Sequence, residues 1–261
     1  VEQVRKALDE DATLLKETYR RPPRGRDPFS ANTGKQLVHI AADEGHLDLL
    51  KFLKERGADL DAENTVVRHW TPIHYAVQKN HVDIVAWLLD NGVSVESKLK
   101  GNDATPLHTA VRSNHLETME LLLARGALVD AHERYDESRW TPLMLACQSN
   151  SGKSAKVLLK NGADVNAQEP HTQETPLHYA VRHQDSTPEL IDLLLAHKAD
   201  AGAKNKAGQT PIELLPTNER GARAKARAEL LIKHGASREL WEQAIREREG
   251  PPPEPPPPEK K

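Results

Sequence analysis

Cysteine occurs once in 261 residues, as Cys147, so no disulfide can form within the chain and the stapled secreted scaffolds are excluded. Aromatic residues make up 4% and hydrophobic residues 37%, which is low for a length at which a single round core draws on more apolar side chains. No apolar run approaches the roughly 18 residues of a membrane-spanning helix. The expectation is therefore a soluble protein, placed in the cytoplasm. Neither sign of charge dominates: 36 Lys plus Arg against 39 Asp plus Glu leaves −3, with no overall field to draw in nucleic acid or an anionic membrane. Disorder throughout is also disfavoured, because the net charge is small. A folded but thin body fits these facts.

What the chain does have is a repeat, which governs every later inference. Thr-Pro recurs at Thr71-Pro72, Thr105-Pro106, Thr141-Pro142, Thr175-Pro176 and Thr210-Pro211, at spacings of 34, 36, 34 and 35, with a degenerate copy at Gln36-Leu37. Ile73-His74-Tyr75-Ala76 is echoed by Leu107-His108-Thr109-Ala110 and Leu177-His178-Tyr179-Ala180. About 20 residues after each Thr-Pro comes a second signature, as in Gly57-Ala58-Asp59 and Gly162-Ala163-Asp164. Threonine before proline supplies a helix cap, and proline at the first helical position leaves no amide unpaired. The pattern predicts a short helix from Pro72 to Lys79, a break at Asn80-His81, and a second helix from Val82 to Asp90 closed by Gly92. Such helices are too short to persist alone, so neighbouring units must bury each other's apolar stripes. The polar segments between them (63–70, 98–104, 131–140 and 167–174) are expected as turns or hairpins along one edge.

The Thr-Pro-Leu-His-x-Ala text at this period resembles the ankyrin-repeat family. The resemblance implies an all-α solenoid of about six stacked helix-turn-helix units with β-hairpin or turn connections, over residues 34–236. Around it, residues 1–33 read as a partial N-terminal repeat followed by a basic, proline-containing loop, 237–249 as a capping helix carrying Trp241, and 250–261 as an extended proline-rich tail. Val1–Leu15 reads as one amphipathic helix. Without an initiator Met, it is expected to belong to a chain trimmed at its start, a removed signal peptide being one cause. The pattern departs from the family's in places. His69, Asp103, Arg139 and Gln173 stand where the hairpin has glycine, Met144 and Glu213 replace the histidine, and Lys198 replaces the helix-closing glycine.

Thirteen histidines raise the question of a metal, but His39, His74, His108 and His178 fall at the helix start and His46, His81 and His115 at the junction between helices. The remainder have no ligand spacing. Ser151-Gly152-Lys153-Ser154 lacks the earlier glycine of a phosphate loop, Cys147 standing there, and is read as a helix–helix junction. No nucleophile, base and stabiliser converge, so the expectation is no catalysis, no cofactor and no metal. The basic clusters Arg20–Arg26 and Arg223–Arg227 are read as solvated faces rather than nucleic-acid sites.

The family resemblance places partner contacts at the residue before each Thr-Pro, the one two earlier, and the pair ending the first helix. Here these are Arg68, Trp70, Gln78 and Lys79; Asn102, Ala104, Arg112 and Ser113; Ser138, Trp140, Gln148 and Ser149; and Thr172, Glu174, Arg182 and His183. Tyr135 lies in the longest hairpin. Trp70 and Trp140 occupy one position two repeats apart, and Trp, Tyr and Arg dominate interface energetics; the competing reading is that these tryptophans only pack on a neighbouring hairpin. Trp87, Tyr75, Tyr179 and Cys147 are read as core. The expected function is that of a monomeric, non-catalytic module holding a protein partner in a groove, with no nucleic acid and no membrane insertion. The alternative is a regulatory or targeting segment of a longer enzyme or effector whose catalytic domain lies outside this chain.

Overall fold

The computed structural model describes residues 2–16, 34–64, 66, 69–135, 137–183, 187–216 and 222–249. Arg68, the Arg20–Thr33 loop and the proline-rich tail lie outside the described residues. Within them the chain is helical apart from one short hairpin and an isolated bridge. Packing divides it into two compact units, Val1–Ala146 with Lys153–Ala163, and Cys147–Gly152 with Asp164–Lys261.

The first unit contains α1 (Glu2–Glu10) and then pairs of helices: α2 (Leu37–Asp43) with α3 (Leu47–Glu55), α4 (Pro72–Gln78) with α5 (Val82–Asp90), and α6 (Pro106–Arg112) with α7 (Leu116–Ala124). Helix α8 (Pro142–Gln148) crosses the division between units, and α9 (Gly152–Lys160) follows it. The shorter helices α2, α4 and α6 stack on one another as an inner layer, while α5 packs on α7 in an outer layer. Two layers follow from burial: every residue of α4 from Pro72 to Val77 is buried, whereas α5 buries only Ile84, Val85 and Leu88. The inner helices are apolar or small on all sides because both layers and the neighbouring repeats enclose them. Trp87, read as core from its neighbours, is instead half-buried on α5, with Lys54 Nζ 6.0 Å from its ring.

The second unit holds α10 (Pro176–Arg182) and α11 (Pro188–Ala196), a 3-10 turn at Pro211–Leu214, α12 (Ala222–Lys233) and α13 (Arg238–Glu249). Helix α10 packs on α11 and on the 3-10 turn, α11 on α12, and α13 on the turn. The last Thr-Pro thus starts a single 3-10 turn rather than an α-helix. The N-terminal segment also differs from the expected single helix. Asp11 ends α1, and its carboxylate accepts from the Thr13 amide at 2.9 Å to start a 3-10 turn at Ala12–Leu15.

Thr105, Thr175 and Thr210 act through a reciprocal cap, whereas at Thr71 only the hydroxyl meets the histidine, 2.8 Å from His74 Nδ1. In α6 the Thr105 hydroxyl lies 2.8 Å from His108 Nδ1, and the Thr105 amide donates to the same nitrogen at 3.2 Å. Thr175 and His178 repeat the geometry in α10, and Gln36 donates to His39 Nδ1 at 3.0 Å in α2. Where glutamate replaces histidine the box persists, the Thr210 amide and hydroxyl each reaching Glu213 Oε2 at 2.7 Å. With methionine it weakens to a Thr141 amide contact with Met144 Sδ at 3.5 Å.

A backbone bond closes each of these connecting fingers: Asn64 to Trp70 at 2.8 Å, Leu99 to Ala104 at 2.9 Å, Glu169 to Glu174 at 2.9 Å and Asn205 to Gln209 at 2.9 Å. In the last three a second bond returns, from Asp103 to Leu99, Gln173 to Glu169 and Gly208 to Asn205. His69, Asp103 and Gln173 each sit near φ +56° within these fingers, the left-handed conformation of the glycine they replace. Arg139 does not. It lies in β2 (Ser138–Trp140), paired antiparallel with β1 (Glu133–Tyr135), because this finger is lengthened into a two-stranded ladder. Lys198 closes α11 at φ +67°, so the strain inferred from its position is present in the backbone. Lys198→Gly is expected to raise stability by about 0.5–1 kcal/mol. A urea-unfolding midpoint equal to or below that of the unsubstituted chain would contradict this.

Candidate partner-binding surface

The ends of the inner helices leave the core abruptly. In the first unit Gln78, Lys79 and Arg112 are exposed directly after buried turns, and Ser113 is half-exposed. In the second, Gln148, Ser149 and Arg182 are exposed and His183 is half-exposed. The finger positions are more enclosed. Asn102, Ser138, Trp140 and Thr172 are half-buried, Ala104 is buried, and Tyr135 contributes its backbone to β1.

Trp70 lies against Tyr75, with ring centroids 5.2 Å apart, and against His74 at 6.1 Å. Tyr75 is itself fixed from three sides. Asn64 donates to its hydroxyl at 2.8 Å, His39 meets it edge-on at 5.8 Å, and Lys35 Nζ sits 4.4 Å from its ring. Trp70 therefore packs on helix α4 of its own repeat rather than on a neighbouring hairpin, and part of its surface stays open. Lys35 also donates to Asp43 at 2.5 Å, a pair buried at both ends.

A second arrangement recurs at the helix ends, where an exposed cation covers a buried carboxylate. Arg112 Nη2 reaches Glu133 Oε1 at 2.5 Å; Glu133 is fully buried, and its Oε2 has no hydrogen-bond donor among the described residues. Burial pushes the Glu133 carboxyl above its usual range, and the Arg112 guanidinium opposes that shift. Arg182 grips Glu174 with both terminal nitrogens, and Asn205 lies 3.5 Å from the same carboxylate. Glu174 is thus a buried anchor for Arg182 rather than an open contact. Lys79 lies 3.9 Å from Asp43.

The helix-start histidines are part of the scaffold. His39 Nε2 donates to the Ala62 carbonyl at 2.8 Å and His178 Nε2 to that of Gln209 at 3.2 Å, while Nδ1 accepts from the cap, so the neutral ring is the form that fits. Burial lowers the His74 pKa to about 4 and that of His108 to about 3. The junction histidines tie successive repeats: His81 Nε2 donates to the Asp43 carbonyl at 3.0 Å and His115 Nε2 to that of Gln78 at 2.9 Å. Cys147 is wholly buried and burial pushes its thiol far up, which leaves it without nucleophilic character at neutral pH. Among the described residues no helix is long and apolar enough to cross a membrane.

Comparison with known proteins agrees with this repeat architecture. A profile for ankyrin repeats matches in three copies, over residues 7–99, 38–133 and 94–169, and a single-repeat profile matches residues 172–206. Among solved structures, a chain from the complex of a predatory endopeptidase of Bdellovibrio bacteriovorus with an immunity protein is 30% identical, with a TM-score of 0.62 over 77% of this chain and 99% of that one. A comparison with curated proteins finds no match. Buried Thr-Pro caps at a period near 34, paired inner and outer helices, and profile matches from residue 7 to residue 206 lead to one conclusion: the chain belongs to the ankyrin-repeat family.

Proposed function

We propose that this chain is a non-catalytic module that holds a protein partner on the inner-helix and finger side of its repeats. The observation that carries the reading is the abrupt change along each inner helix, from a wholly buried body to exposed Gln78, Lys79 and Arg112 in the first unit and Gln148, Ser149 and Arg182 in the second. Side chains held on rigid helix ends lose little entropy on binding, so those within each unit form a pre-organised surface. Trp70 and Trp140, half-buried at equivalent positions, supply large contact area with few rotors to order, and Arg112 and Arg182 are held straight by their buried glutamates. Asn102, Ser113, Ser138, Tyr135 and His183 complete the proposed contacts, with Arg68 outside the described residues.

The likeness to a chain of an endopeptidase–immunity protein complex favours a second reading, in which the partner is an enzyme that the repeats hold inactive.

Capture from a lysate of the source organism tests the first reading. The unsubstituted chain is compared with Gln78→Trp/Ser113→Trp, which adds uncharged bulk at helix ends outside the core, and with Trp70→Ala/Trp140→Ala after thermal melts verify folding. Both variants are expected to lose the partner that the unsubstituted chain retains. Retention by the first variant at an unchanged melting temperature would remove the inner-helix ends from the interface.

A further inference from the structure

Formal charge in the first unit is balanced, but accessible charge is not. On the inner-helix and finger side, the ion pairs that reach the surface turn their cation outward, Lys35 and Asp43 being buried together: Arg112 is 47% exposed over a Glu133 that is 0% exposed, and Lys79 is 53% exposed beside an Asp43 at 8%. Lys100 is more exposed than its partner Glu63, and Arg134 more than Asp103. On the outer helices the order inverts. Asp90 is 62% exposed against 36% for Arg125, Asp48 is 84% against 49% for Lys51, and Asp9 is more open than Arg56. The helix dipole accounts for cations at the ends of α4 and α6. It does not account for Lys100 and Arg134, which stand on the fingers. Lys98 adds a further exposed cation there, and exposed acids in the same connections include Glu44, Asp59, Asp61 and Glu137.

We propose that the inner-helix and finger side of the first unit docks an acidic segment of the partner protein, whose carboxylates take the unused N–H donors of Lys79, Lys100, Arg112 and Arg134. The inference rests on the reading of that side as the interface and adds the partner's chemistry. A buried carboxylate beneath Arg112 and Lys79, and a partly exposed one beside Lys100 and Arg134, fixes each cation and leaves its outer donors to solvent. An incoming carboxylate therefore meets oriented donors and displaces only water. Outward-facing Asp9, Asp48 and Asp90 repel the same segment from the outer helices, which sets the side on which it binds.

The test uses the full chain and a fluorescent oligoglutamate peptide at low salt, with oligolysine as the control of opposite sign. Lys79→Gln/Lys100→Gln/Arg134→Gln removes three exposed cations and strands no buried acid of the Glu133 kind. Arg56→Gln/Arg125→Gln does the same on the outer helices. Oligoglutamate is expected to bind the unsubstituted chain, about tenfold more weakly the triple variant, and without change the outer-helix variant, with salt weakening the binding. No oligoglutamate binding, or equal loss in both variants, overturns the proposal. If a partner captured from the lysate is lost on Gln78→Trp/Ser113→Trp yet is held equally by the triple variant, the interface stands and the acidic partner falls.

Discussion

Arg112→Ala is expected to cost about 2–4 kcal/mol of stability, several times the cost of Arg125→Ala. Both arginines pair with a carboxylate, so a count of salt bridges gives them equal weight. Their partners differ. Glu133 is fully buried, with one oxygen on Arg112 and the other without a donor, whereas Asp90 is 62% exposed and can return to water. Removing Arg112 strands a buried charge, or forces the carboxyl to take up a proton that it holds nowhere in the unfolded chain at neutral pH. The half-exposed position of Arg112 keeps the figure at the low end of the range for buried pairs. Arg112→Met/Glu133→Gln is expected to regain most of the loss, because both charges leave together. Urea unfolding of the four proteins measures this; equal costs at Arg112 and Arg125 would show that Glu133 finds another partner.

Acid is expected to loosen the first unit well before its carboxylates titrate. His74 and His108 are neutral in the fold, with pKa values lowered by burial to about 4 and about 3 from the usual 6.5. A group whose folded pKa is depressed adds stability above its unfolded value and loses it as pH falls from there toward the folded value. The window therefore runs from about pH 6.5 down to about pH 4 for His74 and about pH 3 for His108. Linkage places the loss between pH 7.5 and 5 at about 2 kcal/mol for each ring, about 4 kcal/mol for the pair. Protonation would also put a hydrogen on Nδ1, which takes the capping Thr105 amide in α6. Denaturant midpoints at the two pH values measure the effect. His108→Gln should lower stability at pH 7.5 but roughly halve the difference between the two conditions. A chain equally stable at pH 7.5 and 5 would contradict the burial of these rings as neutral caps.

Much of this fold can be read from the sequence because its rules are local. Thr-Pro starts helices through a cap three residues long, and α4 and α5 begin and end within one residue of the boundaries expected from Pro72, Asn80 and Gly92. Lys198 at a glycine position announces a left-handed backbone by its place in the period alone. The deviations arise where a single side chain redirects the chain: Asp11 caps a new turn and ends α1, and two extra residues in the fourth repeat carry Arg139 into a strand instead of a tight turn.

The site was less legible. Contact positions could be counted off, but not which of their charges are already committed. A signal was present. The residue before Thr-Pro and the residue ending the inner helix are eight apart, and the two carry opposite charges in Lys35/Asp43 and in Glu174/Arg182, both of which pair in the structure. In the α6 repeat that position is Ala104, so Arg112 has no partner of its own and turns to Glu133 in the next finger, 21 residues on. No spacing rule within one repeat would have found that pair.

The central claim is that a protein partner rests on the inner-helix ends and fingers. Amide hydrogen exchange of the full chain, alone and with the captured partner, tests it most directly. Protection is expected in the fingers around Leu99–Ala104 and Glu133–Trp140 and at the ends of α4 and α6, with α3, α5 and α7 unchanged. Protection confined to α3, α5 and α7 would place the partner on the opposite side and contradict the account.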